Sequence, residues 1–250
     1  MSGHSKWAGI KHKKALVDAK RGQTFTRAAR EITMAAREGG GDVDGNFRLR
    51  LAMQKAREVN MPADKIQSAI ARGTGASKAD SLEELRYEGY GPAGVAIMVD
   101  AVTDNRNRTA PAVRHLFAKH GGNLGDSNSV AWMFERKGVL EVSAERDPDA
   151  AGLAAIEAGA DDIRVDGESV EVTCEAGLLE AVRSALEAAG ARVESAEVTM
   201  LPKQTVAVDE ERAPAVLRLL EALEDDDDVQ QVYANFDIAA DVLERISAGV

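Results

Sequence analysis

A single cysteine stands among the 250 residues, so no internal disulfide is available. Cys174 lies in the alternating stretch ESVEVTCE and reads as a small buried hydrophobe in a reducing compartment. Aromatic residues amount to 4% of the chain, too few for base stacking to supply most of any nucleic-acid affinity. No apolar run approaches the roughly 20 residues that span a bilayer, and the first residues lack the apolar segment of a secretory signal. The expectation is a cytoplasmic protein with no membrane partner.

Catalytic constellations are scarce as well. His115 and His120 are five residues apart, so they do not share a helical face as ligands four apart would, and no cysteine pair accompanies them. GTGASK, from Gly73 to Lys78, lacks the four-residue gap of a phosphate loop and follows no strand; it reads as a helix stop plus linker. The acidic run Glu224 to Asp228 reads as a solvated loop rather than a cation site. No nucleophile, base and orienting group assemble from spacing alone. A protein that is not an enzyme is expected, with no cofactor, no metal site and no small-molecule substrate.

What the chain does have is charge separated along its length. Overall it carries 31 Lys/Arg against 42 Asp/Glu, net −11. Residues 1 to 80 hold 16 Lys/Arg and 8 Asp/Glu, net +8, whereas residues 81 to 250 hold 15 and 34, net −19. Between Met1 and Arg21 lie Lys6, Lys11, Lys13, Lys14, Lys20 and Arg21 against the one acid Asp18, with Trp7 and His12 among them. Such a block asks for a polyanion.

The next helix, about Gln23 to Glu38, places Phe25, Ala28, Ala29, Ile32 and Ala36 on one stripe and Arg27, Arg30 and Arg37 on the other. Arg30 and Arg37 have no carboxylate three or four residues away, so their guanidiniums are expected to be free for phosphate, and their charge reversal to leave stability nearly unchanged. A third helix, about Phe47 to Val59, turns Leu49, Ala52, Met53, Ala56 and Val59 inward and carries Arg50 and Arg57 on its flank. A fourth starts at Asn60-Met61-Pro62 and stops at Arg72-Gly73.

Beyond Asp80 the periodicity changes. Gly94 to Val102 reads as a central strand, followed by a helix with Val113, Leu116 and Phe117 inward and Thr109 as a cap candidate, and by a returning strand at Ser129 to Phe134. Gln204 to Val208, Glu210 to Leu223 and Val229 to Asn235 read as strand, helix and strand. Between these halves, Gly138 to Thr199 follows the β-α-β-β-α-β order of a ferredoxin-like unit. The fold expected is α+β and multidomain: a basic helical domain (1–80), a split α+β domain (81–137 plus 201–250) and an inserted ferredoxin-like α+β domain (138–200). In the loop DNRNRT, Asn105, Asn107 and Thr109 supply turn and cap chemistry, while Arg106 and Arg108 sit where a phosphate or a partner is within reach; both readings stand.

GHSKWAGIKHKKALVDAKRG, NMPADKIQSAIARGTG, YEGYGPAGVAIMVDAVTDNRNRT and GGNLGDSNSVAWMFERKG, which span most of Gly3 to Gly138, resemble the bacterial YebC/PmpR family, whose mitochondrial relatives activate translation of a cytochrome oxidase subunit. One departure is visible: the family usually has Asn-Pro before the third helix, where this chain has Asn46-Phe47. The resemblance implies a three-domain, non-enzymatic protein of gene expression. Its partner is then nucleic acid, read first as DNA bound by a transcriptional regulator that meets the transcription machinery, and alternatively as rRNA bound by a ribosome-associated translation factor. No recognition-helix signature, RNA-binding aromatic pair or zinc finger separates the two.

Overall fold

The computed structural model describes residues 21–75, 82–143, 148–166 and 169–248, and within these the chain divides into two compact units. One comprises residues 132–205, and the other contains the described residues on either side.

The larger unit opens with three helices: α1 (Arg21–Gly39), α2 (Phe47–Glu58) and α3 (Ala63–Gly73). Their core is built mainly from small side chains, with Ala28, Ala35, Ala36, Ala52, Ala56 and Ala69 around Ile32, Leu49, Met53, Met61 and Ile66. Small residues let helix axes approach closely. Gly73 marks the closest approach, since a Cβ there would lie 2.3 Å from the carbonyl oxygen of Thr33 and 2.7 Å from the Cβ of Ala36. The start of α2 lacks proline but is well held. Buried Asn46 accepts the amide of Leu49 at 3.0 Å and donates from Nδ2 to the carbonyls of Ala35 and Gly40, both at 2.8 Å. This side chain satisfies a helix N-terminus and ties it back to the end of α1.

The sheet of this unit has the order β3-β1-β2-β9, built from β1 (Glu83–Tyr90), β2 (Ala96–Thr103), β3 (Asn123–Leu124) and β9 (Val229–Ala234), every pair antiparallel. Helices α4 (Arg106–Lys119) and α7 (Ala213–Glu224) bury Val113, Phe117, Val216, Leu219, Leu220 and Leu223 against Val95, Ile97, Val99 and Val232. Two-residue strands β8 (Val206–Ala207) and β10 (Phe236–Asp237) pair in parallel, and α8 (Ala240–Ala248) follows.

Two expectations about this sheet are corrected. Strand β1 was not expected, because EELRYEGY offers little apolar alternation. The expected strand Ser129 to Phe134 does not form: only Phe134 is extended, as the first residue of the next strand, and residues 131–133 form a 3-10 turn. The reason is the buried carboxylate of Glu88, which accepts backbone amides of Asn128 (2.8 Å), Val130 (2.8 Å) and Ala131 (2.7 Å), with Asn128 at φ +67°. Converging three amides on one carboxylate rules out extension there. Although burial pushes the Glu88 carboxyl up, the amides of Val130, Asn128 and Ala131 and the charge of Arg86 outweigh it and leave it below its ordinary value.

The second unit runs β4 (Phe134–Ser143), α5 (Pro148–Glu157), β5 (Ala160–Asp166), β6 (Ser169–Glu175), α6 (Leu179–Ala188) and β7 (Arg192–Pro202), in the antiparallel order β5-β6-β4-β7. That is the ferredoxin-like arrangement. Its core holds Leu140, Val142, Val170, Val172, Leu179, Val182 and Leu186, and Cys174 is fully buried among them, its thiol pushed up by burial. A boundary at residue 138 would cut a strand, because β4 starts at Phe134 and pairs Phe134 with Pro202. The unit therefore begins and ends outside the 138–200 limits expected from sequence.

The amide of Lys203 donates to the carbonyl of Met133 at 2.9 Å, so the two chains entering and leaving the unit run side by side. Residues 132–205 produced alone are expected to unfold in one cooperative urea transition, and the remainder, closed from Ala131 to Val206 by a short Gly/Ser linker, to do the same. Non-cooperative melting of either piece by circular dichroism would count against two independently folding units.

Candidate nucleic-acid interface

Cations expected to meet phosphate are the starting point. Lys6, Trp7, Lys11, His12, Lys13, Lys14 and Lys20 lie outside the described residues, and Arg21 opens the backbone of α1. The remaining expected contacts have definite places.

Arg27 and Arg30 are one turn apart on α1 and do not form a free ridge. Arg27 donates through Nη2 to the carbonyl of Glu224 and, at 2.9 Å, to that of Asp226. Arg30 donates through Nη1 to the carbonyl of Asp227 and pairs through Nη2 with the Asp228 carboxylate at 3.1 Å. Gln23, one turn earlier, donates to the carbonyl of Asp225 at 2.6 Å. The run Glu224 to Asp228 thus docks α1 through its backbone oxygens. Because the guanidinium of Arg27 is largely out of water, burial pulls its pKa down, against the opposing charges of Glu224, Asp225, Asp227 and Asp226. Arg37, farther along, donates to the carbonyl of Leu82 at 2.6 Å.

Asp228 is the centre of this cluster and is almost fully buried. Its Oδ2 accepts from Thr109 Oγ1 at 2.7 Å, Thr103 Oγ1 at 3.2 Å and Arg108 Nη2 at 2.9 Å, and its Oδ1 faces Arg30. Burial pushes this carboxyl up, but the hydrogen bonds from Thr109 and Arg108 and the charges of Arg108 and Arg30 outweigh it, and the group lies below its ordinary value of 3.8. Arg108 is held from its other side by Asp104 at 2.9 Å. Asn105, not Thr109, caps α4 by accepting the amide of Arg108 at 3.2 Å. In DNRNRT, then, Arg108 serves the interior, whereas Arg106 is exposed and makes no ion pair among the described residues.

On α2, Arg50 closes its own loop through the carbonyls of Val43 (2.9 Å) and Asp44 (2.7 Å) and lies 5.7 Å over the ring of Phe47. Arg57 is exposed without an ion pair among the described residues. The expectation that Arg30 and Arg37 carry unengaged guanidiniums is therefore corrected. It searched for partners within one helix, and the partners come from Leu82 and from a loop about two hundred residues farther along. Asp228, Thr103 and Thr109 were missed as a site, and no local signal marks Asp228 among five consecutive acids.

The N-terminal domain of the TACO1/YebC protein matches residues 5–76, and the TACO1/YebC second and third domain match residues 82–236. A "Probable transcriptional regulatory protein" of Natranaerobius thermophilus is 54% identical over 248 residues, 98% of this chain and 99% of its own length. Another of that description, from Pseudomonas savastanoi pv. phaseolicola, is 55% identical over 247 residues, 98% of this chain and 100% of its own. The chain belongs to the TACO1/YebC family. The resemblance drawn from its motifs is thus borne out, along with the α+β multidomain fold. The crystal structure of a conserved hypothetical protein from Aquifex aeolicus matches this TACO1/YebC chain with a TM-score of 0.80 at 48% identity, covering 90% of this chain and 93% of that one. No helix of this family member, among its described residues, is long and apolar enough to cross a membrane.

Replacing Arg30 with Glu sets a carboxylate against buried Asp228, and the expected loss is about 3 kcal/mol. The double change Arg27→Glu/Arg30→Glu is expected to melt early, whereas helical spacing alone foresaw nearly unchanged stability on charge reversal of Arg30 and Arg37. For Asp228 the folded pKa is depressed, so the stability it contributes is complete above the unfolded value of about 3.9 and is lost as pH falls through the folded one. Asp228→Asn should melt below the parent at pH 7 and show a shallower fall in Tm below about pH 4. Parallel Tm profiles for the two proteins would refute the assignment.

Proposed function

We propose that this chain is a nucleic-acid-binding regulator of gene expression in the cytoplasm that acts by docking and not by catalysis. The single observation that carries the reading is the division of charge, net +8 in residues 1 to 80 of a chain that is net −11. Counterion release from a phosphate backbone is what such a cationic segment exploits. Since Arg27, Arg30, Arg37, Arg50 and Arg108 already engage carboxylates or backbone carbonyls of the protein, the binding falls to the Met1 to Arg21 block, with Arg57 and Arg106 as exposed additions.

The description shared by the relatives, probable transcriptional regulatory protein, supports DNA as the target and the transcription machinery as the setting. A second reading, ribosomal RNA bound by a translation factor, is favoured by one observation. With Arg27, Arg30 and Arg37 engaged by other parts of the chain, the described side chains of that helix offer no row of free arginines to a duplex groove, and phosphate contact without base reading suits a folded RNA equally.

Crosslinking the protein in cells and sequencing the recovered nucleic acid decides between them: promoter DNA supports the first, rRNA the second, and recovery of neither overturns both. Deleting residues 1–20 removes five of the 31 Lys/Arg and leaves α1 intact. Affinity in an anisotropy titration is expected to collapse with an unchanged melting curve. The log-log salt dependence should become shallower by about 0.7 to 0.9 per lost phosphate contact. Equal binding by truncated and full-length protein at equal salt would refute the role of the block.

A further inference from the structure

Helix α5 is amphipathic in the wrong sense for a simple core helix. It buries only small residues, Ala151, Gly152 and Ala155, while Leu153 is 58% exposed and Ile156 60% exposed. These two stand three apart on one helical face. Two more apolar side chains join them. Leu178 is 40% exposed, and its Cδ1 comes within 3.0 Å of the Cβ position of Gly159, in the turn that ends α5. Val165 is 55% exposed and shares a strand face with Ile163, whose Cδ1 lies 3.9 Å from the Cβ position of Gly152. All four therefore lie on the helix-covered side of the 132–205 sheet, around α5. Only Tyr90 and Trp132 join them as exposed large hydrophobics among the described residues, so the exposure is concentrated here. An apolar patch of this kind on a folded domain marks an interaction site.

Charge identifies what fits it. Residues 132–205 carry 16 Asp/Glu against 7 Lys/Arg, net −9, and the segment 148–165 carries four acids against Arg164 alone. Arg164 is itself paired with Asp162 at 3.2 Å. Asp149 and Glu157 flank the patch on α5, whereas Asp161 of the edge strand β5 is paired with Lys137 at 3.0 Å and Asp162 lies on the opposite sheet face from Ile163 and Val165. A second copy would bring an identical acidic rim against this one, and a nucleic acid would bring phosphates, so both are disfavoured electrostatically. We propose that this face docks a basic, amphipathic segment of another protein, its apolar residues on Leu153, Ile156, Leu178 and Val165 and its Lys/Arg over the acidic rim.

The test places a photo-crosslinking phenylalanine analogue, p-benzoylphenylalanine, at position 153 of the full-length chain, irradiates the cells that make it, and sequences the crosslinked peptide by mass spectrometry. A protein segment with Lys/Arg in excess over Asp/Glu is expected, with capture reduced at least fivefold when Ile156→Ser is added. Crosslinks to the chain itself, to nucleic acid or to an acidic segment, or no crosslink, would overturn the proposal. The captured segment, synthesised and titrated against the full chain by anisotropy, is expected to bind at least tenfold more weakly to Leu153→Ser/Ile156→Ser and more weakly to Glu157→Gln. An unchanged melting curve shows that these exposed substitutions spare the fold, and unchanged affinity in both variants would also overturn the proposal.

Discussion

The larger unit depends on one buried carboxylate. Asp228 gathers hydroxyls from the end of β2 and the first turn of α4, a guanidinium from α4 and another from α1. Elements from three separated parts of the chain converge on it, so its charge is compensated only when all three are in place. A buried charge left with part of its partners is costly, which makes such a cluster cooperative. The helical segment and the split sheet are consequently one contact unit. Arg27 and Gln23 extend the same attachment along α1 by taking backbone oxygens of the acidic loop. The carbonyl of Asp226 accepts the amide of Val229 at 3.2 Å as well as the Arg27 guanidinium at 2.9 Å, so the loop's own turn and α1 share that oxygen.

Legibility in the sequence followed the range of the interaction. The inward stripes of α1 and α2 were readable because Phe25, Ala28, Ala29, Ile32 and Ala36, and Leu49, Ala52, Met53 and Ala56, repeat at helical spacing. Strand β2 was readable because it is apolar on both faces, from Ala96 to Thr103. Strand β1 was not, since the residues it buries at its end are Glu88 and Gly89, and Glu88 is there to hold a loop rather than to fill a core. That same carboxylate bends the Ser129 to Ala131 segment that alternation suggested was extended. Hydrophobic period reports solvent exposure along an element, and it is silent about a charge that organises another element's backbone.

The ferredoxin-like unit was legible in order but not in surface character. Pattern alone gave α5 as a helix, and Leu153 and Ile156 within it fit a core as readily as an interface. Only the burial of Ala151, Gly152 and Ala155 beneath them shows that the small residues face the sheet. A helix seated on alanine and glycine lies close to its strands, so its larger side chains have no interior left to enter. The pairing of small buried and large exposed residues is thus a property of helix placement, invisible to composition.

Charge counted along the chain also needs a correction that only the fold supplies. The net +8 of residues 1 to 80 includes Arg27, Arg30, Arg37, Arg48 and Arg50, and each of these is answered inside the protein by a carboxylate or by backbone carbonyls. Guanidiniums so engaged contribute less to counterion release, because a phosphate would have to displace partners they already hold. The cationic footprint available to a polyanion therefore contracts toward the block from Met1 to Arg21, where six Lys/Arg face one Asp. On this accounting the acidic loop Glu224 to Asp228 takes the place beside Arg27 and Arg30 that the sequence had assigned to an external phosphate backbone.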